Sequence, residues 1–240
     1  MTKYFIILVF FLGMQISNAQ NLTAPELLDK AIAYHDPDKL WSVFQGKLFI
    51  TMNYPDGKER HSEVEIDLPK EHFEITSKTE GTIIEQTLDK EECTLKLNGS
   101  TSISEEALKT HRLSCERANF MKNYYLYLYG LPMKLKDKGT NLDPKVQTKT
   151  FKGKEYLVLK VTYDESVGKD VWYFYFDPRS YALEVYQFFH DESKNDGEYI
   201  LLSDLENVGT IKMPKVRAWY YNKDDKYLGT DILTKGIPLE

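Results

Sequence analysis

Five histidines, two cysteines and one acidic strand face are the residues of this chain best suited to metal binding, redox work or nucleophilic chemistry. The histidines are His35, His61, His72, His111 and His190. None forms His-x-x-x-His, and none stands at zinc-ligand spacing from a cysteine. His61 with Glu63 and Glu65 is the best metal candidate, because strand alternation puts the three on one face. The same alternation sets them opposite Val64, Ile66 and Leu68, so a solvated face over a core row explains them more simply. No Gly-x-Ser-x-Gly elbow is present, and no glycine-rich loop resembles a phosphate cradle. The carboxylate pairs Glu91–Glu92 and Asp224–Asp225 sit beside turns, as solvated caps do. The residues point to no catalytic role, no metal and no cofactor, and the expectation is a protein that is not an enzyme.

What remains is aromatic surface. Tyr (17), Phe (12) and Trp (3) make up 13% of the chain. Trp172, Phe174 and Phe176 share one strand parity, and Tyr173 and Tyr175 share the other. One face of that strand serves a core, and the other needs a helix, a partner or a ligand to cover it. Tyr186 and Phe188 pose the same question in the next strand, and Trp219 and Tyr221 pose it again further on. Rings on the concave side of a curled sheet suit an apolar cleft, with tyrosine hydroxyls left to orient a ligand. Trp172, Phe174, Tyr186, Phe188 and Trp219 are the expected cleft residues. The alternative is that helices seal this face into core, and a register error of one would move the whole set.

The elements that must position these rings read as follows. Residues 1–19 have the pattern of a signal peptide: Lys3, an apolar run from Tyr4 to Met14, then Ser17 and Ala19. That run is about 11 residues, short of the ~20 that span a bilayer as a helix. No cysteine follows the small residues, so a cleaved, periplasmic or secreted product without a lipid anchor or transmembrane segment is expected. Residues 20–240 form the single expected domain. Thr23 with Glu26 is a capping-box pattern opening a short amphipathic helix that closes at Asp36-Pro37.

From Leu40 to Gly99 the apolar period is two, with Tyr54-Pro55-Asp56-Gly57 and Asn98-Gly99 as turns. A helical interlude follows. Ser102 with Glu105 repeats the capping spacing, and Met121, Tyr124, Tyr125 and Leu128 sit on one helical stripe. The run Tyr124–Tyr129 is also compatible with a strand. Strands are then expected over Leu157–Tyr163, Val171–Phe176, Tyr181–Phe189, Tyr199–Leu202, Thr210–Met213, Val216–Tyr221 and Tyr227–Leu233. The fold class is mainly β: one curled antiparallel sheet of about ten strands, half-open, with the N-terminal helix and the mid-chain helices on one face.

A formal net charge of -6 argues against a nucleic-acid partner and against adsorption on an anionic membrane. Cys93 and Cys115 are an even count in an expected exported chain, which suggests a disulfide. Cys93 shares parity with Leu95 and Leu97, so a buried small hydrophobe is the alternative. The sequons at Asn21 and Asn98 decide nothing alone.

The order of elements resembles the LolA/LolB-like superfamily of periplasmic lipoprotein carriers. Tyr129-Gly130-Leu131-Pro132, the run from Trp172 to Pro178, Ile211-Lys212-Met213-Pro214-Lys215 and Ala218-Trp219-Tyr220-Tyr221 look closer still to an uncharacterised family of secreted bacterial proteins. The resemblance implies a half-open barrel with helices as a lid over an apolar cavity. It implies binding of a lipid or other hydrophobic molecule, with an envelope protein partner docking on the aromatic face as the alternative. The carriers' gating arginine has no assigned counterpart among Arg60, Arg112, Arg117, Arg179 and Arg217.

Overall fold

In the computed structural model, residues 22–239 are described, and the signal-like segment and Asn21 lie outside them. Helix α1 (Ala24–His35) starts as its sequence requires. Thr23 and Glu26 exchange the reciprocal bonds of a capping box, and Pro25 stands where its missing N–H costs nothing. Five strands follow as a meander: β1 (Gln45–Asn53), β2 (Glu59–Asp67), β3 (His72–Thr79), β4 (Thr82–Asp89) and β5 (Glu92–Leu97). The interlude holds two helices, α2 (Glu105–Thr110) and α3 (Cys115–Gly130), so the tyrosine run is helix and not strand. The cap of α2 is Ser104, whose hydroxyl accepts from the Ala107 N–H, and not Ser102.

Eight strands complete the chain: β6 (Thr140–Leu142), β7 (Gln147–Phe151), β8 (Lys154–Tyr163), β9 (Val171–Phe176), β10 (Leu183–Phe189), β11 (Glu198–Val208), β12 (Ile211–Tyr221) and β13 (Tyr227–Pro238). The two strands expected over 210–213 and 216–221 are one, because Pro214 is accommodated inside β12. It faces Leu205 beside Asp204, whose φ of 53 marks a local irregularity of β11. A proline inside a sheet is tolerated at such a place.

All thirteen strands form one antiparallel sheet in the order β5-β4-β3-β2-β1-β13-β12-β11-β10-β9-β8-β6, with β7 also paired to β8. The last strand lies against the first, while among the described residues β5 at one end and β6 with β7 at the other remain free edges, so the sheet curls without closing. Its concave face carries the main core: Leu48 and Ile50, Val64 and Ile66, Phe73 and Ile75 from the first meander, then Leu159, Phe174, Ile200 and Met213 from the second. The helices pack here. Helix α1 lays Leu27, Leu28 and Ala31 into one end, and α3 lays Tyr125, Leu128 and Tyr129 across the middle.

The second face of β9 has its own cover. Tyr173 and Tyr175 join Tyr156, Val158 and Val185 in a smaller cluster on the convex side. Phe151 of β7 closes over Tyr175 at 5.1 Å, and the Lys149 ammonium sits 3.9 Å from the Tyr173 ring.

Candidate functional site

Strand register brings the expected rings together. Phe174 of β9 lies opposite Tyr186 of β10, Trp172 lies opposite Phe188, and Ile200 of β11 links Tyr186 to Trp219 of β12. Ring centroids stand 4.8 Å apart for Trp172–Phe188, 5.9 Å for Trp172–Phe174 and 6.3 Å for Tyr186–Trp219. All five residues therefore share the concave face.

Helix α3 divides them. Phe174 and Tyr186 are fully buried beneath it, and Tyr124 stacks on Trp219 at 6.4 Å. Tyr127 meets the edge of Trp172 at 5.4 Å and hydrogen-bonds the Tyr163 hydroxyl at 2.5 Å. The middle of the concave face is thus sealed core, and space remains at the flanks of α3.

One such space is a cleft of about 670 Å³ between α3, β6, β8–β9 and the loop that follows β8. Phe120, Tyr124 and Tyr127 form its helix wall, and Tyr163, Trp172 and Val167 form the opposite wall. Of the five expected residues only Trp172 lines it. Phe120 and Val167 stand at its mouth, 53% and 57% exposed. The polar groups sit on the rim: Lys134 is paired with Asp137, Lys138 stands nearby, and Asp170 bonds His190 at 2.7 Å. That carboxylate raises the His190 pKa above its ordinary value. Inside, burial pushes the Tyr127 hydroxyl well above the usual phenol range. An apolar cleft with neutral hydroxyls within and charges at the edge suits a hydrophobic body with a polar end.

Beneath α3 lies a polar group that spacing along the chain does not reveal. Across the concave face Leu202, Arg217, Asp231, Met52 and Arg60 occupy neighbouring register positions on β11, β12, β13, β1 and β2. Arg217 is fully buried. It donates to the Pro214 carbonyl at 2.7 Å and to the Leu128 carbonyl of α3 at 3.4 Å, and its guanidinium lies 3.9 Å from the centre of the Tyr129 ring. Asp231 accepts from the Trp219 indole at 3.1 Å. Burial raises its carboxyl pKa, opposed by the charges of Arg60 and Arg217. Arg217 Nε and the hydroxyls of Tyr129 and Tyr186 are buried without a hydrogen-bond partner among the described residues. Arg217 was visible in the sequence only as an arginine inside a strand, with nothing to say it faced inward.

Cys93 and Cys115 are disulfide-bonded, with Cα atoms 5.9 Å apart, and tie the start of α3 to β5. The other end of α3 is set by Gly130, where a Cβ would come within 2.2 Å of the Trp41 ring. The row His61, Glu63 and Glu65 is a solvated strand face. Thr51 and Glu59 engage His61, Lys78 engages Glu63 and Lys47 engages Glu65. Among the described residues no three metal-ligating side chains gather. Among them also, no helix is long and apolar enough to cross a membrane.

Residues 2–235 match the model of DUF6503, a family of unknown function, and the chain belongs to that family. No curated protein matches it by sequence. Among solved structures it is similar to a LolA superfamily protein from Nitrosomonas europaea, at 13% identity and a TM-score of 0.53, covering 91% of this chain and 94% of that one. It also matches a structure described as an outer membrane lipoprotein-sorting protein domain from Vibrio parahaemolyticus, at 10% identity, TM-score 0.46, and 87% and 90% coverage. A DUF1329 family protein from Desulfovibrio piger matches at 8% identity, TM-score 0.49, and 89% and 92% coverage. The first of these places the fold in the LolA-like class.

Proposed function

We propose that this member of DUF6503 is an exported, non-enzymatic binding protein. It holds a lipid or another hydrophobic molecule non-covalently in the cleft beside α3, in the manner of a carrier. The observation that carries this reading is the cleft itself. Its 670 Å³ falls within the ~300–1,000 Å³ range of small-molecule sites, and its walls are aromatic while its charges stay on the rim. The LolA-like fold supports it by analogy. The leader-like segment and the disulfide support an oxidising, extracytoplasmic setting.

Helix α3 is the element whose displacement would enlarge the site, because it separates the cleft from the buried rings of Phe174 and Tyr186. A ligand larger than the present cleft would enter by lifting it.

The test is native mass spectrometry of the full chain purified from its own envelope, followed by organic extraction and titration with a fluorescent fatty acid. A co-purifying lipid displaced by the fatty acid is the expected result. Absence of any apolar molecule together with no fatty-acid uptake would sink the proposal. A stoichiometric protein in place of a lipid would instead favour docking of an envelope partner on Phe120 and Val167.

A further inference from the structure

A second cleft, of about 380 Å³, opens on the other flank of α3. Its floor is the end of the sheet formed by β2, β3 and β4, and its roof is the elbow between α2 and α3. Three arginines converge on it from separate elements: Arg60 from β2, Arg112 from the elbow and Arg117 from the first turn of α3. His111 joins them, and the floor supplies the hydroxyls of Ser77, Thr79 and Thr82.

The charges here are unbalanced. Where cations and carboxylates meet elsewhere in this acidic chain they pair, as Lys47 does with Glu65 and Lys154 with Asp177 and Glu184. Among the described residues none of the three arginines is in an ion pair within 4 Å. Glu80 is the carboxylate lining the cleft, and both of its oxygens are taken by Lys58, at 3.0 and 3.2 Å. Glu116 lies in the adjoining groove, and Asp231 lies inward of Arg60. Arg60 donates to the Tyr125 hydroxyl at 3.5 Å and keeps a buried Nε without a partner. Arg117 rests on the Phe120 ring at 4.6 Å.

Holding like charges together costs energy unless something negative lies between them. Guanidinium groups have the planar donor fork that matches tetrahedral oxyanions, and hydroxyls complete such a shell. The elbow is also fixed in place, because the Cys93–Cys115 bond anchors α3 beside it. We propose that this cleft binds a phosphate group, either as free phosphate or as the headgroup of a phospholipid. The site is separate from the aromatic cleft and does not depend on what that cleft holds.

Calorimetric titration of the full chain at low ionic strength separates the two sources. One arm uses inorganic phosphate, and the other uses dihexanoyl phosphatidic acid below its micelle concentration. The ligand that binds more tightly names the source. The double variant Arg112→Gln/Arg117→Gln replaces two exposed side chains, so folding is retained. It should weaken binding by about tenfold or more, from the loss of two charge-assisted contacts. Lys145→Gln/Lys223→Gln removes the same charge from remote exposed positions and should stay within about twofold. Saturation by neither ligand, an unchanged affinity in the arginine variant, or an equal loss in the lysine control would each overturn the proposal.

Discussion

Helices α1 and α3 both close the half-barrel, and they do so on opposite terms. Helix α1 is a plug whose buried polar groups are all used. His35 is fully buried, yet its Nδ1 lies 2.7 Å from the Lys212 carbonyl and its Nε2 accepts from the Leu183 N–H at 2.9 Å. Those two bonds fix the neutral tautomer with the proton on Nδ1. Asp36 then accepts from the Leu40 and Trp41 N–H groups at 2.8 and 2.9 Å.

Helix α3 is longer, 16 residues to 12, and is less well matched. Among the described residues, the fully buried Arg217 beneath it has one nitrogen without a partner, as have the Tyr186 hydroxyl below and its own Tyr129 hydroxyl. A buried polar atom left unpaired costs about 1–3 kcal/mol. The same fold therefore contains a closure built to stay and a closure built with a reserve of unmet bonding. The second flanks both clefts.

The sharpest way to break this comparison is to damage the plug. Replacing His35 with Ala strands the Leu183 N–H and the Lys212 carbonyl and leaves a cavity. Chemical denaturation should show a loss of roughly 4 kcal/mol. A variant within 1 kcal/mol of wild type, on the order of one surface substitution, would show that α1 is no more committed than α3.

Acid tests the same residue without mutation. Burial lowers the His35 pKa from the ordinary 6.5 to about 4. The unfolded chain therefore takes up the proton first, and stability is fully present above pH 6.5. It declines as pH falls from 6.5 to 4, by roughly 3 kcal/mol at most. Denaturation midpoints measured across that window should slope in the wild type and flatten in His35→Ala.

Reducing the Cys93–Cys115 bond, which closes a separation of 22 residues, should cost about 3 kcal/mol in a loop-entropy account. Hydrogen exchange should rise first at α3 and leave α1 protected. Equal exchange in both helices would erase the distinction.

Trp172→Ala removes one wall of the aromatic cleft and should weaken fatty-acid binding about tenfold, in keeping with the loss of a buried aromatic contact. Unchanged affinity would move the ligand elsewhere. The smallest effect is expected at Tyr186→Phe. Removing an unpartnered hydroxyl should leave stability unchanged or raise it by up to about 1 kcal/mol. A clear loss would mean that the hydroxyl is bonded and that α3 is as well satisfied as α1.

Local chemistry made much of this legible. The Thr23–Glu26 cap, the period-two meander and the stripe of Met121, Tyr124, Tyr125 and Leu128 are signals contained within a few residues. Strand alternation likewise put Trp172, Phe174, Tyr186, Phe188 and Trp219 on one face. It could not show that α3 would bury Phe174 and Tyr186 while leaving space beside Trp172, because that depends on where a helix lands.

Strands β6 and β7 were hidden by their shortness and polarity, Thr-Asn-Leu and Gln-Thr-Lys-Thr-Phe. Pro214 read as a strand break because the irregularity that admits it sits on the neighbouring strand. The meeting of Arg60, Asp231 and Arg217 depends on the pairing of β1 with β13, which no nearby residue announces.

That pairing carries a consequence for the order of assembly. Gly46 lies opposite Pro238, so the first strand finds its second neighbour only when β13 arrives, about 190 residues later. Until then β1 presents an unpaired edge, and the polar row beneath α3 lacks its carboxylate. Contacts so distant along the chain slow folding and favour a late, concerted closure. The half-barrel cannot take shape before β13 has been made and has found β1. A partner that shields the waiting edge of β1 would govern how much of the protein survives until that strand docks.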